Sequence, residues 1–80
     1  MKATVTIMFK NGVLDPQGEA VKSALVGLGF FDVKGVRQGK IIELDITETD
    51  KVKAESSLKD MCEQLLANTV IEDYEIELLA

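Results

Sequence analysis

The chain has 80 residues, of which 46% are apolar and 29% charged, and its formal net charge is −5. This length fits one domain, residues 1–80, with the composition of an ordinary globular protein. The acidic balance, with Arg37 as the sole arginine, argues against binding to nucleic-acid phosphates. The sequence has no histidine, which excludes histidine-based acid–base catalysis and most zinc sites.

The first third of the sequence predicts a strand followed by a helix. Residues 2–10 alternate apolar and polar side chains, the period of a half-buried strand. Asp15 and Pro16 are typical of a helix N-cap and first helical residue, and Gly29 suits the helix end. The apolar side of the strand carries Ala3, Val5, Ile7 and Phe9, and the apolar stripe of the helix carries Val21, Ala24, Leu25 and Leu28.

The remainder predicts a hairpin, a second helix and a last strand. Residues 31–38 and 40–47 are predicted as paired strands, with a bulge at Gly35 and a tight turn at Gly39. Thr49 or Asp50 caps a helix that runs to about residue 67. Its predicted apolar stripe is Leu58, Met61, Cys62 and Leu65, and the last strand places Tyr74, Ile76 and Leu78 opposite Glu75 and Glu77.

This order predicts an α+β fold, a ferredoxin-like βαββαβ sandwich. Right-handed crossovers give a four-stranded antiparallel sheet with two helices on one face. Its open face is predicted to carry Thr4, Thr6, Met8, Glu43, Asp45, Glu75 and Glu77. A domain this small, with an open sheet face and open edges, is expected to form at least a homodimer.

The residues offer no catalytic, cofactor-binding or metal-binding set. Cys62 lies on an apolar stripe without a histidine to activate it, which indicates a buried structural thiol. Lys34, Arg37 and Lys40 form one basic cluster in an acidic chain and are the candidate partner interface. The sequence has a single cysteine, its N-terminus lacks the continuous apolar stretch of a signal peptide, and no segment approaches the length of a membrane span. These features predict a cytoplasmic protein.

Three segments in order carry a family resemblance: residues 12–18 (Gly-Val-Leu-Asp-Pro-Gln-Gly), residues 36–40 (Val-Arg-Gln-Gly-Lys) and residues 65–68 (Leu-Leu-Ala-Asn). Together with their spacing, they resemble PurS, the small subunit of phosphoribosylformylglycinamidine synthase. Thr69 departs from the pattern, since the family often has proline there.

The resemblance implies a non-catalytic subunit of a carbon–nitrogen ligase complex of de novo purine biosynthesis. That complex converts formylglycinamide ribonucleotide to formylglycinamidine ribonucleotide with ATP and glutamine, neither of which this chain would bind. The implied partners are a synthetase subunit and a glutaminase subunit, which the small subunit bridges while it assists ammonia transfer.

Two other classes share the predicted βαββαβ order. An ACT-like regulatory domain would bind a small molecule such as an amino acid, although such domains are usually fused to an enzyme. An RNA-recognition domain needs aromatic residues on its open sheet face, where this chain has Thr, Met and Glu.

Overall fold

The computed structural model describes residues 1–79, which form three strands and two helices in the order β1–α1–β2–α2–β3. The strands are β1 (Lys2–Phe9), β2 (Lys40–Asp45) and β3 (Glu72–Leu79). The helices are α1 (Pro16–Gly27) and α2 (Lys51–Met61), and α2 continues as a π-helical turn over Cys62–Leu66. Neither helix in this part of the chain is long and apolar enough to cross a membrane.

The sheet has the order β2–β1–β3, with β1 antiparallel to both neighbours. Val5 pairs with Ile42 on one side and with Ile76 on the other. The alternation predicted for β1 is confirmed, because Ala3, Val5 and Ile7 are fully buried on the inner face. Helix α2 packs on this face, and burial of these side chains against its apolar residues is the main force that holds sheet and helix together.

The outer face of the sheet is open and acidic, as predicted. Thr4 lies opposite both Glu43 and Glu77, and Thr6 lies opposite Glu75. The three glutamates are exposed. Like charges on one face repel a second identical face, so this surface resists uncontrolled stacking of sheets.

Three of the predicted helix boundaries are confirmed in detail. The Asp15 carboxylate caps α1 by accepting from the Gly18 backbone N–H at 2.9 Å, with Pro16 as the first helical residue. The helix ends in a Schellman motif, in which Gly29 has φ 101° and the Phe30 N–H donates to the Leu25 carbonyl at 3.0 Å. Of the two candidate caps for α2, Asp50 serves, accepting from two backbone N–H groups.

The predicted four-stranded sheet is wrong, because residues 31–38 form no strand and no hairpin closes at Gly39. A two-residue hairpin turn needs positive φ, and Gly39 does not have it. The chain instead runs straight through Gly39 into β2, whose first residue, Lys40, pairs with Ile7. The bulge predicted at Gly35 disappears with its strand. The fold is α+β with a three-stranded sheet.

The expectation that both helices cover one sheet face is also wrong. Helix α2 packs on the sheet, whereas α1 does not, and Gly18 is the one buried residue in α1. Residues 28–39 return along α1 without regular secondary structure. We call residues 16–39 the arm, and the sheet with α2 and the π turn the body.

The apolar stripe of the second helix differs from the prediction at one position. Leu58 and Cys62 are fully buried, but Leu65 is 83% exposed, and Leu66 and Ala67 turn toward the core instead. A π turn contains more residues per turn than an α-helix, which rotates every later side chain around the axis. The predicted spacing assumed an α-helix to the end.

Candidate partner-binding site

Two of the distant sequence segments singled out above meet where the arm joins the body. Oδ1 of Asp15 accepts from the Gly18 N–H at 2.9 Å, and Oδ2 accepts from the Gln38 N–H at 2.8 Å. One carboxylate therefore caps α1 and also fixes the chain just before β2. We call this contact between residues 9–19 and residues 36–40 the junction.

Two glycines allow the backbones at the junction to approach closely. A Cβ on Gly18 would lie 2.6 Å from the Val36 carbonyl oxygen and 2.5 Å from Asp15 Oδ2. A Cβ on Gly39 would lie 2.3 Å from the Ile7 carbonyl oxygen. All three distances are well inside van der Waals contact, so any side chain at these positions would force the arm away from the body.

Arg37 closes the junction on the side of β1. Its guanidinium donates to the carbonyl oxygen of Phe9, the last residue of β1, at 2.5 Å, and Phe9 pairs with Glu72 at this end of the sheet. The neighbouring Gln38 side chain donates to the Gln17 side-chain oxygen at 3.0 Å. Between these contacts lies a shallow cleft of about 440 Å³, lined by residues 9–15, 19 and 36–38.

Charge and hydrogen bonding at the junction favour the ionised form of Asp15. The hydrogen bond from the Gln38 backbone lowers the pKa of Asp15 most, followed by that from Gly18, and the Arg37 charge lowers it further. The sequence predicted that Asp15 caps α1, but it did not predict the hydrogen bond from Gln38 to Asp15. In the predicted hairpin, the Gln38 N–H belonged to a strand, where it would bond to a neighbouring strand.

The three basic residues of the candidate interface have different surroundings. Lys34 is exposed on the arm, and among residues 1–79 it forms no ion pair. Arg37 is held in the junction. Lys40 opens β2, and its Nζ lies 3.8 Å from Glu72 Oε2. They lie along one extended stretch of chain rather than at a hairpin tip, so Lys34 is the one most available to a partner.

Cys62 is buried in the core, as predicted, between β1 and the end of α2. Burial, with a smaller effect of the nearby Glu63 charge, raises the pKa of the Cys62 thiol above its usual range. A thiol held in its protonated form is a poor nucleophile. Within residues 1–79 no group of three or more Cys, Asp or Glu side chains is placed to hold a metal ion.

The whole chain matches known proteins. A family model described as PurS, phosphoribosylformylglycinamidine (FGAM) synthase, matches residues 2–80. The chain belongs to the PurS family. The phosphoribosylformylglycinamidine synthase subunit PurS of Bacillus subtilis is 49% identical over 76 residues, covering 95% of this chain and 89% of that protein.

Solved structures of PurS proteins have the same fold. The B. subtilis PurS C2 crystal form superposes with a TM-score of 0.89 at 47% identity, covering 99% of this chain and 98% of that one. A chain in the structure of PurLQS from Thermotoga maritima gives a TM-score of 0.87 at 36% identity, covering 98% and 95%. Both superpositions span the arm and the body, so the projecting arm belongs to the shared PurS architecture.

Proposed function

We propose that this chain is the small, non-catalytic subunit of a phosphoribosylformylglycinamidine synthase complex. In that role it bridges the synthetase and glutaminase subunits and assists ammonia transfer between them. The complex converts formylglycinamide ribonucleotide to formylglycinamidine ribonucleotide with ATP and glutamine, and this chain binds neither. The observation that carries the proposal is the full-length similarity to a chain of the Thermotoga maritima PurLQS structure.

The chemistry of the chain supports a structural role in that complex. It has no histidine, its one thiol is buried and protonated, and its clefts are shallow and open to solvent. A subunit of this kind contributes by completing an interface. Excluding water there keeps ammonia from being protonated or lost before it reaches the substrate.

The basic stretch Lys34, Arg37 and Lys40 is our candidate for docking on an acidic partner surface. Lys34 offers an exposed charge, and the junction fixes the backbone on either side of Arg37. A held backbone presents its charges at lower entropic cost than a flexible loop. The acidic outer face of the sheet gives the same molecule a second surface of opposite sign, suited to a second subunit.

We also propose that the subunit acts in the cytoplasm as at least a homodimer. The open sheet edges and the projecting arm support self-association. The chain has a single cysteine, which is free, and this suits a reducing compartment.

Reconstitution from purified subunits tests the proposed function. The synthetase and glutaminase subunits are assayed with and without this chain, using either glutamine or free ammonia as the nitrogen source. We expect the chain to restore glutamine-dependent synthesis and to leave ammonia-dependent synthesis unchanged. Equal glutamine-dependent rates with and without the chain would refute the proposed role, as would turnover by the isolated chain.

A further inference from the structure

The outer face of the sheet carries most of the net charge of the chain. The strand register places five carboxylates on this face: Glu43, Asp45, Asp73, Glu75 and Glu77. Lys2 is the one basic residue in the same rows, so the face has a net charge of −4, compared with −5 for the whole chain. Acidic and basic residues elsewhere in the chain therefore nearly balance.

Three of these carboxylates, Glu43, Glu75 and Glu77, are exposed and form no ion pair within residues 1–79. Glu43 and Glu77 lie on either side of Thr4, and Glu75 is two residues from Glu77 on the same strand. A surface that serves only solubility usually intersperses both signs of charge. Like charges left side by side favour a cationic partner, which relieves their mutual repulsion.

One end of the same face is apolar. Ile41 lies opposite Thr6 on the outer side of β2 and is 66% exposed. Met8 lies beside it, and its sulfur occupies the place where a Cβ on Gly39 would be. An apolar patch bordered by charged residues has the composition of a protein-binding surface, with an apolar centre and a polar rim. The flexible thioether of methionine adapts readily to a partner.

The face has the form of a trough with acidic walls. Thr4 and Thr6 on the central strand are its floor, between the carboxylates of β2 and those of β3. The two outer strands are about 10 Å apart, twice the spacing of neighbouring strands, and this is about the diameter of an α-helix. Thr4 and Met8 are about 13 Å apart along β1, a distance that a helix covers in about eight residues.

The elements of this chain do not suit the trough. Helix α2 packs on the opposite face of the sheet, and the junction holds α1 away from it. The outer face of a second copy would set carboxylates against carboxylates. Helix α1 of a second copy brings no net positive charge, because Glu19 and Lys22 are its only charged residues.

We propose that the trough seats a basic amphipathic helix of a partner subunit, aligned with β1. An apolar side chain of that helix contacts Ile41 and Met8, and Lys or Arg side chains about two turns away contact Glu43 and Glu77. Helices commonly bind in this way, with apolar anchors in a groove and charges that fix their register. The inference rests on the partner binding proposed above, and it names the surface and the chemistry of what binds there.

Titration calorimetry against the purified synthetase and glutaminase subunits tests the charged walls. The double variant Glu43→Gln/Glu77→Gln removes two charges from the trough, and Glu19→Gln/Glu55→Gln removes two from exposed positions on the helices. We expect the first to raise the dissociation constant for one subunit at least about tenfold at low salt, with a smaller rise at high salt. The control should change it by less than about twofold.

Ile41→Thr tests the apolar end of the trough without altering any charge. Threonine is also β-branched and suits a strand, so the sheet is expected to remain intact. We expect the dissociation constant for the same subunit to rise about tenfold at both low and high salt, because salt does not screen an apolar contact. An affinity equal to that of wild type would overturn the seating of the helix at Ile41 and Met8.

Thiol labelling locates the contact independently of these affinities. Thr4→Cys puts a thiol on the floor of the trough, and Val52→Cys puts one on α2 at a position that is 78% exposed. Wild-type protein gives the background, since its Cys62 is buried. The partner subunit should slow maleimide labelling of Thr4→Cys at least about tenfold and leave that of Val52→Cys unchanged. Equal labelling of Thr4→Cys with and without the partner subunit would overturn the proposal.

The remaining outcomes separate this inference from the function it rests on. If wild type binds a partner subunit and the trough variants bind it equally well, the seat is overturned and the proposed function stands. A wild-type chain that binds neither subunit overturns both. Sedimentation of the variants without partner is the last check, because a changed oligomeric state of Glu43→Gln/Glu77→Gln would assign the face to contact between copies and overturn the helix.

Discussion

At the scale of single residues, two of the three family-like segments of this sequence are explained by backbone contacts at the junction. Glycine is needed at positions 18 and 39 because a backbone carbonyl oxygen lies where a side chain would begin. Aspartate is needed at position 15 because its two carboxylate oxygens accept hydrogen bonds from two different backbone N–H groups, those of Gly18 and Gln38. The sequence alone predicted the cap at Asp15 and the helix end at Gly29. It could not predict the tight packing, which depends on how residues far apart in the chain meet.

Gly18→Ala should destabilise the fold by about 1–3 kcal/mol, because the added methyl collides with the Val36 carbonyl and with Asp15. Gly27→Ala is the matched control. It lies in the same helix with nothing within 4 Å of its Cβ position, and it should stabilise by about 0.5–1 kcal/mol through helix propensity. Urea denaturation of both variants gives the comparison. A neutral Gly18→Ala would mean that the arm does not rest on Val36.

Asp15 should make stability depend on acidic pH. Its pKa is lowered in the folded chain, so folding favours the carboxylate. Its contribution is therefore fully present above the unfolded pKa of about 3.9, and it is lost as the pH falls through the lower folded value. Asp15→Asn should be less stable than wild type at neutral pH, with a difference that shrinks toward about pH 2. A difference that stays constant over that range would assign the loss to geometry rather than charge.

At the scale of secondary-structure elements, periodicity predicted both helices and the strands β1, β2 and β3, and it failed for residues 31–38 of the arm. Strand alternation in β1 and β3 and the caps of both helices are local properties, and they are confirmed. Residues 31–38 have a strand-like sequence, but at its end Arg37 and Gln38 form hydrogen bonds with Phe9, Asp15 and Gln17 at the junction and not with a neighbouring strand. The predicted stripe of α2 failed at Leu65, since no local signal marks the π turn.

The π turn can be tested with two leucine truncations in the same helical segment. Leu58→Ala should cost about 2–5 kcal/mol, because it leaves a cavity in the core. Leu65→Ala should change stability by no more than about 0.5 kcal/mol, because its side chain is exposed. Both are measured by chemical denaturation at concentrations low enough for the chain to be monomeric. Similar large losses at both positions would indicate a regular α-helix that buries Leu65.

At the scale of the whole molecule, charge is divided between two regions. Residues 1–40 carry six basic and three acidic side chains, a net of +3, and residues 41–80 carry three basic and eleven acidic, a net of −8. The structure separates these charges in space, since the outer sheet face is acidic and Lys34 projects from the arm. A subunit with two surfaces of opposite sign can orient between two different partners.

Lys34→Glu tests whether the basic stretch docks on the synthetase or glutaminase subunit. Lys34 is exposed and forms no ion pair among the described residues. Reversing its charge therefore leaves the junction intact and changes only the electrostatic potential that the arm presents to a partner. We expect affinity for the partner to fall about tenfold at low salt, and the difference from wild type to diminish as salt screens the contact.

The control is Lys51→Glu, which makes the same charge change at an exposed position at the start of α2. Sedimentation first establishes that both variants keep the wild-type oligomeric state. Titration calorimetry against each partner subunit at low and high salt then measures the affinities. If Lys34→Glu and Lys51→Glu weaken binding equally, the effect is one of net charge alone. The docking surface must then lie elsewhere. The next charges to reverse by mutation would be those of Glu43, Glu75 and Glu77 on the outer sheet face.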